Sequence, residues 1–293
     1  MSSASSSCCL GSTVSGPEAV EPKLVPEADL GSGAEPSDKA PLAGIELGKL
    51  NPEKTELFYK LVNSLGSPCG KSHSLRTSFT SDPSCKRAPF AVRYLRAMLE
   101  DDGPEGLVRE DYAKHYERKS PLEQLDASRA PHFGDQNAPI KLVEFMDYEC
   151  PHCAVFKGEL DKLLVSRAGK VEIFVMMYPL EQHHPESKSA AQAALAAAAQ
   201  GKFQEMHDLL FAQTPKHSRD EVLGYGKQLG LDVDKFTAAY DAAERHVSSD
   251  QAQGNAAGVD ATPTVYLQDR KYDGPMSAKY LELWIDEELA VPR

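Results

Sequence analysis

The stretch LVEFMDYECPHC, residues 142–153, runs an apolar segment into two cysteines separated by Pro151 and His152. Thiols at this spacing have three readings: half of a zinc site, a haem attachment, or a redox dithiol. A structural zinc site needs four ligands, often two such pairs. Cys69 and Cys85 could complete one, but they lie in another part of the chain and lack the close spacing of a zinc knuckle. Haem attachment needs a histidine directly after the second cysteine, and Ala154 stands there. The redox reading uses every neighbour. IKLVEF (140–145) reads as a buried strand, and Pro151 to about Ser166 as a helix with Val155, Phe156, Leu160, Leu163 and Leu164 apolar. Cys150 then falls at a helix N-terminus, where unpaired N–H groups and the helix dipole favour a thiolate. Pro151 suits the first helical position because its missing N–H would be unpaired anyway. His152 brings a donor or a positive charge near the sulfur. Cys153, one turn in, closes the disulfide.

Outward from this motif, VEIFVMMY (171–178) reads as a second buried strand, which completes a parallel βαβ unit with a right-handed crossover. An alanine-rich helix follows, SKSAAQAALAAAAQ. Further helices are expected in KFQEMHDLLFAQ, SRDEVLGYGKQLG and DVDKFTAAYDAA, with a last one near residues 244–257. TPTVYLQDRKYDG gives two short strands with a turn at Gln268 to Arg270, and SAKYLELWIDEEL a final helix. The order is βαβ, a helical insertion at about 183–258, then ββα. A C-x-x-C beside a βαβ unit is thioredoxin-like. The class is therefore α/β over residues 139–293.

Upstream, residues 1–50 hold nine Ser, six Gly, five Pro and no aromatic residue. Such a segment buries too little apolar area to offset its ordering entropy and reads as a disordered tail or tether. Within it, Cys8 and Cys9 are either exposed thiols or the site of a lipid anchor. Residues 51–118 read as a small all-helical module. Asn51 and Pro52 start the first helix, and further helices run from Pro89 to about Glu100 and from Pro104 to about Glu117. Cys69 and Cys85 in this module either form a structural disulfide or join His73 as zinc ligands. Lys71, Arg76, Lys86, Arg87, Arg93 and Arg96 give it a local basic excess, read as solvated charge or as a docking surface for an acidic partner. Residues 119–138 read as a linker. His183 and His184 read as loop histidines with no carboxylate placed beside them.

EFMDYECPHC, the alanine-rich stretch running into GKFQEMHDLLF, and GVDATPTVYL together resemble the DsbA-like thioredoxin-fold oxidoreductases, the disulfide-formation family with a helical insertion. The resemblance covers roughly residues 133–290. It implies that the α/β domain over residues 139–293 is a thioredoxin fold. It also implies a thiol–disulfide oxidoreductase that introduces disulfides into reduced client polypeptides and is reoxidised by a membrane quinone-linked oxidase. It needs no diffusible cofactor and no metal, because the dithiol itself carries two electrons. It further implies that Pro263 is a cis-proline facing the dithiol, that Thr262 tunes its potential and lines the substrate groove, and that Glu144 relays protons for the buried cysteine. Lys157 departs from the acid that some relatives carry at the matching position. Family kinship implies an extracytoplasmic location in a bacterial periplasm or envelope. The chain opens MSSASSSCCLGSTVSG, without the basic start and apolar run of a secretory signal. A reductase or isomerase of the same fold, and a metal-binding or interaction module on a thioredoxin scaffold, are the rival readings.

Composition narrows the field only broadly. A net charge of −12 argues against nucleic-acid binding, which calls for a basic footprint. No run of 18 apolar residues exists to span a membrane.

Overall fold

The structure, a computed structural model, describes residues 38–118 and 121–291. The lipid-anchor reading of Cys8 and Cys9, and the tail reading as far as residue 37, lie outside these residues. The expected tail does not extend to residue 50. Leu42 and Leu50 are buried among the helices that follow, and Arg76 holds Asp38 and the Ala40 carbonyl.

Four helices come first: α1 (Pro52–Ser64), α2 (Leu75–Thr80), α3 (Ala88–Glu100) and α4 (Glu105–Tyr112). Asn51 caps α1 by accepting the Lys54 amide, and Pro52 takes its first turn. α4 runs on into a wider π turn over Ala113–Glu117. α2 was not expected. It lies inside the loop closed by the disulfide Cys69–Cys85, and its short sequence LRTSFT carries too little periodicity to announce a helix. Because both sulfurs are spent on each other, the alternative zinc set of Cys69, His73 and Cys85 does not form. His73 faces Asp82 instead.

The sheet has five strands: β1 (His132–Gly134), β2 (Ile140–Met146), β3 (Val171–Met177), β4 (Thr264–Leu267) and β5 (Arg270–Lys271), in the order β1-β3-β2-β4-β5. β2 and β3 are parallel, and every other pair is antiparallel. β2 is central, which is why IKLVEFM is apolar almost throughout. The segment expected as a linker is not a free one. It supplies edge strand β1, and Leu125, Ala127 and Ala130 are buried against the sheet. Gly134 closes β1 at φ 90°, where an added Cβ would collide with the Val171 carbonyl oxygen. Gln268 and Asp269, both at positive φ, make the tight β4–β5 turn.

α5 (Pro151–Ser166) crosses from β2 to β3. The insertion comprises α6 (Ser187–Ala198), α7 (Phe203–Gln213), α8 (Arg219–Gln228) and α9 (Val233–Ala256). α9 is one helix where two were expected, since no glycine or proline interrupts DAAERHVSSD. It is fastened to the end of β3 by Asp250, which accepts the Met177 amide at 3.0 Å.

α10 (Ala278–Ala290) closes the chain, packed between α5 and α3. One apolar cluster runs from Phe58, Leu61 and Leu95 in the helical segment through α5 to Leu281, Trp284 and Ile285 on α10. Among the basic residues of that segment, Arg76, Arg87 and Arg96 have acidic partners within the protein. Arg87 pairs with Glu287 on α10 and donates to the Val291 carbonyl; Arg96 pairs with Glu100.

The disulfide closes a loop whose ends are 16 residues apart, for which chain-entropy arguments give about 3 kcal/mol. Replacing both Cys69 and Cys85 with serine should lower stability by roughly this amount, read by urea denaturation. Because the apolar cluster is continuous, α10 should lose amide-exchange protection together with α1 and α3.

Candidate active site

The site starts from the strand-to-helix joint. Cys150 is the N-cap of α5 and Pro151 its first residue. The Ala154 amide bonds the Cys150 carbonyl, so the amides of His152 and Cys153 remain free to point at the Cys150 sulfur. Both cysteines are free thiols. Cys150 keeps 5% of its surface exposed and Cys153 none, so only the former offers a sulfur to another chain.

Their protonation is pulled apart. Donation by the Cys153 thiol is the largest influence on Cys150 and lowers its pKa. The Thr262 side chain and the amides of Cys153 and His152 add to it, and against the opposing effect of burial the value falls to about 4. The backbone carbonyl of Thr262, 3.2 Å from the Cys150 sulfur, works the other way, since it accepts from the thiol and repels the thiolate. Burial, together with the proton it gives to Cys150, pushes Cys153 far above the thiol range. His152 acts through its backbone amide; its ring is exposed.

Glu144 sits on β2 between Val175 and Val265 and is 3% exposed. Burial, and to a lesser degree the Cys150 charge, raises its pKa to about 8. A carboxyl that is protonated at neutral pH beneath the pair is equipped to hold a proton for Cys153. The Thr262–Pro263 peptide bond is cis, in the loop entering β4 and against Cys150. Lys157, one turn beyond the dithiol on α5, is engaged by Asp161 at 2.9 Å and Asp208 at 2.8 Å. Val155, five residues after Cys150 on α5, is an apolar side chain 71% exposed to solvent.

Several residues escaped the sequence reading. His184 does have a carboxylate: Asp147 Oδ2 lies 2.8 Å from its Nδ1. Asp147 also accepts the Leu180 amide, and so ties the loop after β3 to the dithiol. Tyr148 meets His207, and Glu149 meets His217. The only signal was the run of polar residues D-Y-E closing an apolar strand. Among the described residues no group of three or more His, Cys, Asp and Glu is arranged to hold a metal ion.

Two outcomes are expected. In the reduced protein, alkylation of Cys150 by iodoacetamide should fall to half its plateau near pH 4, whereas an ordinary thiol titrates near about 8.5, and Cys153 should stay unmodified. Glu144 stays protonated in the folded protein up to about 8 but ionises near 4.5 once unfolded. The unfolded chain then binds fewer protons in that window, and stability falls as pH rises through it. Glu144→Leu should remove this loss. Reduced E144L should exceed the wild type in stability by a margin that grows across the window to on the order of a few kcal/mol, measured by urea denaturation at several pH values. A margin independent of pH would contradict the assignment.

A thioredoxin family model, Thioredoxin_4, matches residues 126–287. Among solved structures, a thioredoxin-like oxidoreductase from Silicibacter pomeroyi DSS-3 is 27% identical with a TM-score of 0.51, the match covering 56% of this chain and 94% of that one. BdbD from Bacillus subtilis is 22% identical with a TM-score of 0.53, covering 59% of this chain and 100% of that one, a likeness of fold. Curated relatives include the Na(+)/H(+) antiporter NhaA of Herminiimonas arsenicoxydans, 36% identical over 148 residues, and NhaA 3 of Salinispora tropica, 33% identical over 173 residues. These matches cover 50% and 58% of this chain but 23% and 26% of the relatives, so the chain spans about a quarter of their length. The family match takes in the βαβ unit, the C-P-H-C pair and the Thr262–Pro263 loop: the chain belongs to the thioredoxin family, as a DsbA-like thioredoxin-fold protein.

Proposed function

We propose that the protein is a thiol–disulfide oxidoreductase that introduces disulfide bonds into client polypeptides. The observation that carries this reading is the asymmetry of the pair: a nucleophilic Cys150 held as thiolate at a helix N-terminus, and a Cys153 buried with its proton.

Starting from the oxidised pair, a client thiolate attacks the Cys150 sulfur. The Cys150–Cys153 bond breaks, a client–Cys150 bond forms, and Cys153 leaves with the electron pair and takes up a proton, which Glu144 is placed to supply. A second client thiolate then attacks the client sulfur, and Cys150 departs as a thiolate. The client loses two electrons and the dithiol gains them. Cys150 is a good leaving group because its thiolate is stabilised. The Thr262 carbonyl and Pro263 border the sulfur where the client chain enters, and exposed Val155 gives that chain an apolar surface.

Direction follows from the same asymmetry. The thiolate exists only in the reduced form, so whatever stabilises it favours reduction of the pair and makes the pair an oxidant. Strongly oxidising pairs such as that of DsbA, at about −120 mV, contrast with thioredoxin at about −270 mV. Returning the pair to the disulfide then requires an acceptor, for which the DsbA-like kinship suggests a membrane quinone-linked oxidase. An extracytoplasmic compartment, where disulfides persist, suits both this reading and the Cys69–Cys85 bond. Among the described residues no helix is long and apolar enough to cross a membrane.

Equilibration in glutathione buffers should place the potential above about −200 mV. A value near thioredoxin's would reverse the direction and make the protein a reductase. His152→Pro, which removes the amide aimed at the sulfur, should raise the Cys150 pKa and make the pair less oxidising. His152→Ala, which keeps that amide, should shift both much less.

A further inference from the structure

Asp147, Tyr148 and Glu149, the three residues before the nucleophile, are all buried, and each meets a different histidine of the helical insertion. His184 Nδ1, ahead of α6, lies 2.8 Å from Asp147 Oδ2. His207 Nδ1, on α7, lies 3.0 Å from the Tyr148 hydroxyl. His217 Nδ1, ahead of α8, faces Glu149 Oε1 at 3.5 Å. Thr214 adds a bond from its hydroxyl to the Tyr148 carbonyl.

The three contacts differ in charge. Burial lowers the His207 pKa to about 3, so its ring is neutral and shares a single hydrogen bond with the Tyr148 hydroxyl. Asp147 is shared, since its Oδ2 also accepts the Leu180 amide and its Oδ1 the Glu149 amide.

His217 is a special case. Its Nε2 lies 2.9 Å from the Leu210 carbonyl oxygen, which can only accept, so Nε2 carries a hydrogen. Its Nδ1 and Glu149 Oε1 are buried, and neither makes a formed hydrogen bond to any other group. A bare ring nitrogen against an ionised carboxylate would set two acceptors face to face away from water, which is strongly unfavourable. A hydrogen on Nδ1, turned toward the carboxylate, would remove that clash. Lys216, the residue before His217, lies close enough to act on Glu221. Glu221, at the start of α8, takes the amide and hydroxyl of Ser218, and the second oxygen of Glu149 faces the Glu186 amide at 3.4 Å.

We propose that Glu149 and His217 form a positioning pair for the redox reaction: they bind the segment before Cys150 to the helical insertion and hold a proton there, so that the nucleophile follows a neutralised carboxyl rather than an open anion. The proposal rests on Cys150 as the nucleophile and is independent of the direction of exchange. Loss of the imidazole leaves an uncompensated carboxylate on the residue adjoining Cys150 and disfavours its thiolate. Loss of the carboxylate leaves the ring proton as an unbalanced positive charge there and favours the thiolate.

The test is an ultraviolet titration of the Cys150 thiolate in the reduced full chain, with the glutathione equilibrium as a second readout. His217→Gln should weaken the acidity of Cys150 and Glu149→Gln should strengthen it, each by about threefold or more for a nearby charge. The E149Q/H217Q double variant should return close to the wild type. Damage to packing alone would move both single variants the same way and add in the double. Shifts of one sign, or none, overturn the proposal. Nitrogen NMR of the His217 ring in the wild-type protein keeps the test decisive if a variant fails to fold. A bare Nδ1 opposite an ionised Glu149 at neutral pH would overturn it as well. Neither measurement requires client turnover, so failure to transfer disulfides would sink the functional reading and leave this one standing.

Discussion

The amides of His152 and Cys153 have no partner within α5, and the Cys150 sulfur is where they point. That contact exists because a buried strand delivers the chain to a helix start at residue 150, and the rest of the fold holds the joint still. β3 pairs with β2 along its whole length, from Ile140 against Val171 to Met146 against Met177. Phe156, Leu160 and Leu163 bury the inner face of α5. The Thr262 carbonyl, brought in by β4, limits how far the sulfur is biased toward the thiolate. A donor on one side and an acceptor on the other hold the sulfur in one place while letting it exist in both protonation states.

The helical segment ahead of the sheet is bound to the catalytic fold through α10. Glu287, 1% exposed, takes the Tyr116 hydroxyl at 2.8 Å and pairs with Arg87. His115 stacks on Trp284 with ring centroids 4.0 Å apart. Asp101 receives both Lys279 and the Tyr280 hydroxyl at 2.8 Å. A buried glutamate is expensive without partners, and Glu287 finds them only because the upstream helices supply an arginine and a tyrosine. The polar contacts thus set the register of an interface whose bulk is apolar.

Much of this was legible in the sequence because it rests on local rules. Short continuous apolar runs locate β2 and β3, period-3.6 patterning locates α5, and proline and N-cap chemistry locates the starts of α1 and α5. The C-P-H-C spacing marks the dithiol. What the sequence hid depends on contacts between distant residues. β1 is three residues long and gains its strand character only from pairing with β3. Leu42 and Leu50 look like isolated apolar residues in a serine- and glycine-rich run until the helices give them somewhere to bury. The histidine partners of Asp147, Tyr148 and Glu149 lie between 37 and 68 residues further along the chain, and Arg87 of the basic patch finds its carboxylate on α10, 200 residues away. None of these pairings leaves a mark on local spacing.

The apolar cluster shared by the upstream helices and α10 has an evolutionary reading. The family match begins at residue 126, yet the core already takes in Leu42 and the helices from Pro52 onward, so the unit of descent and the unit of folding do not coincide. A lineage carrying the catalytic fold without these helices loses the cover that Tyr94 gives Tyr280 and His115 gives Trp284, unless it also repaints that side of its last helix. The face of α10 turned toward α3 thus carries, in Tyr280 and Trp284, the imprint of the helices that cover it.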